Sequence, residues 1–348
     1  LEWPYILEES KKNGVACLIY HHLKNLSFHP VIPEEILAAF KNLYYANSLR
    51  NILLLKKTKE ILNVFSGKGI KVIILKGLFL SENIYKNLAL RPSSDMDLLV
   101  RKEDVSQADE ALRSLGFTAP ISPRAFLLNP APLSINSLMY VSQDPAGCMV
   151  HLHWHLINSS WELKRLAQKI DMKRIWDQAE RGSLDNADIC ELAPHHHIIY
   201  LCQHAFNHCF SEIIHFTDIL TALEFYRERL DWDKVAGEAK RFDLLPVLHY
   251  IFLFLEQRFK KGISPAGRWR AGRIPFLDRV FDFSLKKPSS FYGFSYLVYL
   301  FLQEGIQGKL SFLGRTILPS RYCLAQGLSV PPEEISLKHY CQRLLGRA

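Results

Sequence analysis

One segment of this chain breaks with its surroundings. Val72-Ile73-Ile74-Leu75 is followed by Lys76-Gly77, a helical stretch from Leu78 to Tyr85, a loop from Asn87 to Ser94, and then Asp95-Met96-Asp97-Leu98-Leu99-Val100. The first four residues are apolar and rich in β-branched side chains, which predicts a short buried strand. In the last six, Met96, Leu98 and Val100 alternate with Asp95, Asp97 and Leu99, which predicts a second strand. Side chains two apart on a strand leave it on the same side, so Asp95 and Asp97 should project together. Such a carboxylate pair suits Mg2+, a hard cation that takes oxygen ligands and bridges phosphate oxygens. Gly77 stands between strand and helix, where it permits close backbone approach, and a helix N-terminus there offers free N–H groups to phosphate. Lys76 and Arg91 add positive charge. Ser94, beside the carboxylates, is a phosphate donor or a loop cap. Each element alone is common: Asp-x-Asp is often a solvated acid pair, and Lys-Gly often only a turn. Their order, with 18 residues from Gly77 to Asp95, is far more selective.

The flanks read as helical. From Pro33-Glu34-Glu35 to Phe65 apolar positions recur at three- and four-residue steps, after a break at His29-Pro30. Glu103 to Leu115 predicts an amphipathic helix ended by Gly116, and 118–136, rich in Pro, Ser and Asn, predicts loop, with room for one short strand. Leu138–Ser142 and Cys148–Leu156, joined at Asp144-Pro145-Ala146-Gly147, predict a hairpin. In its second strand Cys148, Val150, Leu152, Trp154 and Leu156 form an apolar face, which puts His151, His153 and His155 on the other. Helical periodicity then holds from Asn158 to about Phe259, with breaks near 182–188 and at Asp231. The fold class is α+β, a small mixed sheet with helices before and after it.

The stretch LKGLFLSENIYKNLALRPSSDMDLLV, Leu75 to Val100, resembles the uncharacterised nucleotidyltransferase family of the polymerase-beta-like superfamily. That family shows a lysine–glycine, a tyrosine, an arginine and Asp-x-Asp-Leu-Leu-Val, here Lys76, Gly77, Tyr85, Arg91, Asp95 and Asp97. His153-Trp154 is similar to a His-Trp the family carries on a later strand, and Leu201–Leu223 resembles its helical segment with two histidines and an aspartate, here His204, His208 and Asp218. The resemblance implies a nucleotidyltransferase core at 67–157, between helical regions at 1–66 and 158–261 and a basic helix-and-loop region at 262–348. It implies transfer of an NMP from an NTP, with ATP the expected donor, to a hydroxyl acceptor, with pyrophosphate leaving. Asp95 and Asp97 would hold Mg2+; Lys76, Gly77, Arg91 and Ser94 would meet the triphosphate. His153, His204, His208 and Asp218 would lie at the cleft. Where the superfamily places a third carboxylate, this chain has His151, an imidazole that accepts Mn2+ more readily than Mg2+ and is a general base near neutral pH. Loss of that acid leaves open a nucleotide sensor with little activity. A phosphohydrolase using the same carboxylates is a third reading.

His204 and His208 share a helix face, with three readings open: packing at a domain interface, a share in the cleft, or a zinc site whose third ligand the sequence does not identify. The net charge of +8 is concentrated late: Arg258–Ala348 holds fifteen Lys and Arg against five Asp and Glu. That keeps RNA in play, but no aromatic–basic interleaving of a nucleic-acid module is present, so a small molecule, peptide or protein is the expected acceptor ahead of nucleic acid. Seven cysteines without a CxxC pair, and no basic-then-apolar leader, fit a reducing cytoplasm. The most apolar run, Phe291–Leu302, falls short of the ~20 residues of a membrane span and predicts a buried helix, with peripheral membrane contact as the alternative.

Overall fold

A computed structural model describes residues 2–24, 32–123, 136–144, 147–157, 163–259, 269, 272–287, 291–328, 330 and 332–344. The expected break at His29-Pro30, most of the 118–136 loop, and Pro145-Ala146 of the hairpin turn lie outside the described residues.

Seven strands form one mixed sheet in the order β3-β4-β5-β2-β1-β7-β6: β1 (Ile73–Ile74), β2 (Met96–Leu99), β3 (Phe117–Thr118), β4 (Ser137–Ser142), β5 (Met149–His153), β6 (Glu180–Leu184) and β7 (Ala187–Glu191). The strand containing Asp97 is central. It runs antiparallel to β1, with Ile73 across from Leu99, and parallel to β5, with Asp97 across from His151. All four β2 residues are buried, as a strand covered on both faces requires.

Two elements depart from the sequence expectation. Residues 180–191, where the sequence predicts only a break in a helical stretch near 182–188, form the β6–β7 hairpin, and β7 pairs parallel to β1 to extend the sheet. Its turn is Asp185-Asn186, both at positive φ (45° and 65°), a conformation that Asn and Asp tolerate and that matches the twist of a two-residue hairpin. The expected helix at Leu78–Tyr85 is short and π-wound over Leu80–Ile84. Few aligned peptides mean a weak dipole at the Gly77 end.

The Glu34–Gly67 helix positions the site from behind. Two acidic residues open it, favourably for its dipole, and Leu54, Leu55, Ile61, Leu62 and Phe65 pack into the large core under the sheet. Asn47 and Asn51, buried one turn apart, donate to Ala89 O (2.9 Å) and to Leu88 and Arg91 O (2.7 and 2.8 Å). Those bonds satisfy carbonyls of the loop before β2, so the loop carrying Arg91 is held to a helix. On the other side stand the helices Pro194–Asn207 and Ile213–Phe225. The apolar run Phe291–Phe301 is a helix with Phe291, Phe294 and Val298 buried in the same core. Among the described residues no helix is long and apolar enough to cross a membrane.

Candidate active site

Asp97 points from β2 into a cavity of about 520 Å³, which Asp95, Lys76, Arg91, His151 and His153 also line. Asp95, just before the strand, faces the same way. The Lys76 ammonium shows this: it lies 3.6 Å from Asp95 Oδ1 and in tight contact with Asp97 Oδ2. Asp97 is 2% exposed. Burial alone would push its carboxyl up, but Lys76 and the neighbouring imidazoles outweigh that and hold it well below the usual carboxylate range. Burial likewise acts against the Lys76 ammonium; Asp97 and Asp95 overcome it and hold the amine above its ordinary value.

β5 supplies two imidazoles. His153 Nε2 is 3.1 Å from Asp97 Oδ1, and burial pushes His153 down to about 4. The ring is therefore neutral near pH 7 and donates from Nε2 to the carboxylate, which leaves its buried Nδ1 without a partner among the described residues. His151 Nδ1 is 3.6 Å from the same Asp97 oxygen, too far for a hydrogen bond, while its Nε2 is 2.8 Å from Ser137 Oγ. His155, expected on the same face, lies past the end of β5; its Nδ1 accepts from Ile157 N at 3.1 Å. Asp97, His151 and His153 each place one ligand atom within 4.8 Å of the others. Their carboxylate and two nitrogens, with Asp95 adjacent, could hold Mn2+; the carboxylates alone suit Mg2+.

Gly77 has φ +63°, and a Cβ there would stand 3.4 Å from Asp95 O and from Ser93 Oγ. Only glycine adopts this backbone without strain while letting the Lys76 side pass so near the acidic loop. Ser94 Oγ donates to Asp95 Oδ1 at 3.1 Å. Its neighbour Ser93, which sequence reading passed over, is buried with a hydroxyl that has no partner among the described residues. The only sequence signal for it was adjacency to Ser94.

Arg91 lines the cavity, but its guanidinium is engaged. Nη2 is 3.0 Å and Nε 3.3 Å from Asp218, and Nη1 donates to Pro92 O at 2.7 Å. Asp218 also accepts from Tyr85 Oη at 3.0 Å. Asp218 thus lies behind Arg91 rather than in the cavity wall. A free cation comes instead from Arg50, exposed on the Glu34–Gly67 helix, which lines the cavity without an ion pair among the described residues. Nothing local distinguishes it from any solvated arginine. The helical wall brings Tyr200, His204, His208 and, from the next helix, His215.

A family profile described as an uncharacterised nucleotidyltransferase matches residues 1–260. None of the curated proteins matches the chain. A solved structure described as an antigenic nucleotidyltransferase-like protein from Paracoccidioides brasiliensis is similar at 12% identity, over 59% of this chain and 91% of that one, with a TM-score of 0.30.

Proposed function

The chain belongs to the uncharacterised nucleotidyltransferase family, and from that premise we propose that it moves an NMP from an NTP, ATP being the expected donor, to a hydroxyl acceptor with release of pyrophosphate. The observation that carries this reading is the convergence of Asp95 and Asp97 on one cation, the Lys76 ammonium, inside a cavity of nucleotide size.

Asp95 and Asp97 would hold the divalent cation, and the ionised state enforced on buried Asp97 is the form that binds one. Oxygen donors fit Mg2+, and the nearby imidazoles admit Mn2+. When bound, such ions neutralise charge on the attacking and leaving oxygens of an in-line displacement. The rest falls to the chain. Gly77 allows the backbone to approach the triphosphate, and exposed Arg50 on the cavity wall is free to contact it. Lys76 neutralises the acid pair until a metal arrives. His151 takes the proton of the acceptor hydroxyl as that oxygen bonds to the α-phosphorus and the bond to the β-phosphate oxygen breaks. Asp218 holds Arg91 in place and is a positioning residue. A small molecule, peptide or protein is the favoured acceptor.

α-Labelled ATP with Mg2+ or Mn2+ tests the reading: pyrophosphate should appear with the label transferred, and Asp95→Asn and Asp97→Asn should each lower the rate by about 10²-fold or more. Pyrophosphate release that is the same in both variants would sink it. His151 in place of an acid, and a lysine already compensating the pair, favour a second reading, a nucleotide sensor. That protein would bind NTP with no pyrophosphate formed across a broad acceptor panel.

A further inference from the structure

We propose that His204, His208 and His215 form a second metal site, for one transition cation of the Zn2+ class, on the helical wall of the cavity. Its ligands are separate from the carboxylate pair, and the inference stands whether or not nucleotidyl transfer occurs.

The geometry is a near-equilateral cluster. Ring centroids are 4.5 Å apart for His204 and His208, 4.6 Å for His208 and His215, and 4.9 Å for His204 and His215. One ligand nitrogen of each ring lies within 4.8 Å of the others. With Zn–N bonds of about 2.0–2.1 Å, nitrogens on a tetrahedral ion sit roughly 3.3 Å apart. Rotation of the side chains closes that difference, and His208, exposed at the end of its helix, has room to turn.

The neighbouring histidines supply the control. On the same helix, buried His195, His196 and His197 each have a polar partner: Gln178 at 3.0 Å, Glu238 at 3.5 Å and Tyr226 Oη at 2.9 Å. Packing histidines on this helix are therefore each held through one ring nitrogen, although His196 Nδ1 and His197 Nε2 are themselves buried without a partner among the described residues. His204, His208 and His215 have no such partner among the described residues, and His215 Nδ1 is buried with none. Three imidazoles facing one another, none held by a hydrogen bond among the described residues, offer their nitrogen lone pairs to a cation.

The backbone between the two helices makes this meeting possible. Cys209 and Phe210 both have positive φ, 53° and 59°. Consecutive non-glycine residues in that region are strained, and such strain persists only where the surroundings enforce it. Here it reverses the chain directly after His208, and Phe210 is pinned by stacking on Phe291 at 4.5 Å. The second helix then starts at Ile213 with His215 turned back toward the first.

Three neutral nitrogens select Zn2+ and its neighbours over Mg2+, and a three-histidine set leaves a fourth position open. All three histidines line the cavity, so an ion held there would be within reach of an oxygen of whatever the cavity binds.

The full chain, stripped with chelator, should take up one equivalent of Zn2+ at these histidines against a chromophoric competitor, besides any ion held by Asp97, His151 and His153, and Co2+ in its place should give visible ligand-field absorption. Asp97→Asn should retain that equivalent. His208→Ala and His215→Gln should each weaken it by at least about 100-fold. Circular dichroism checks that the variants fold, and exposed His208 keeps the test valid if His215→Gln does not. No stoichiometric uptake by the native chain, uptake unchanged in His208→Ala, or uptake lost in Asp97→Asn would each overturn the proposal.

Discussion

His151 stands directly across from Asp97 in the register of the parallel strands β5 and β2, with its Nδ1 3.6 Å from Asp97 Oδ1. The neighbouring strand thus presents an imidazole where the resemblance places a third acid. A ring at that point can serve as base or as nitrogen ligand, and substitution separates the two. His151→Asp should raise Mg2+-dependent pyrophosphate release relative to Mn2+ if the ring stands in for a ligand. His151→Ala should lower turnover by about 10²- to 10⁴-fold if it is the base. Unchanged turnover in His151→Ala removes it from the chemistry.

Lys76→Met tests the charge balance of the acid pair. Without the ammonium, buried Asp97 keeps only imidazole partners, and an uncompensated buried charge costs about 3–5 kcal/mol. Urea unfolding in chelator should show a loss of that order. Added Mg2+ or Mn2+ should restore part of it, since an ion that binds only the folded state stabilises it. Equal stability of the variant and the native chain in chelator would mean that Lys76 does not compensate Asp97.

Acid should weaken the fold well above the carboxylate range. Burial pushes His196 and His197 each down to about 4, and they are 0% and 1% exposed. Unfolded, each would titrate near 6.5, so between about 6.5 and 4 the unfolded chain binds more protons than the folded one. Stability is therefore full above 6.5 and falls as pH drops, with each group contributing up to about 1.4 kcal/mol per pH unit. Urea midpoints from pH 7.5 to 5 should fall steadily below 6.5, and less so in His197→Gln. A flat profile would contradict the buried neutral state.

Gly77→Ala should destabilise the chain by about 1–2 kcal/mol, the strain of a left-handed backbone bearing a Cβ. The new methyl would also fill the space beside Asp95 O and Ser93 Oγ, 3.4 Å from each, so nucleotide affinity, read by calorimetry, should fall as well. Full affinity in the variant would place the phosphates away from Gly77.

What could be read along the chain was local and periodic. Alternation over Asp95–Val100 was enough to place two carboxylates on one side, because a strand's period of two is a property of its own backbone. The long helix at 34–67 and the glycine after β1 followed in the same way. The β6–β7 hairpin escaped because Glu180–Glu191 is short and polar, and only Asp185-Asn186 marked its turn. What docking alone decided were the partners: Arg91 with Asp218, 127 residues on, and His215 with His204 and His208. Those meetings depend on how helices pack on the sheet and on a strained reversal at Cys209-Phe210. Residue spacing carries no record of either, because the energy of such contacts comes from surfaces far apart in the chain.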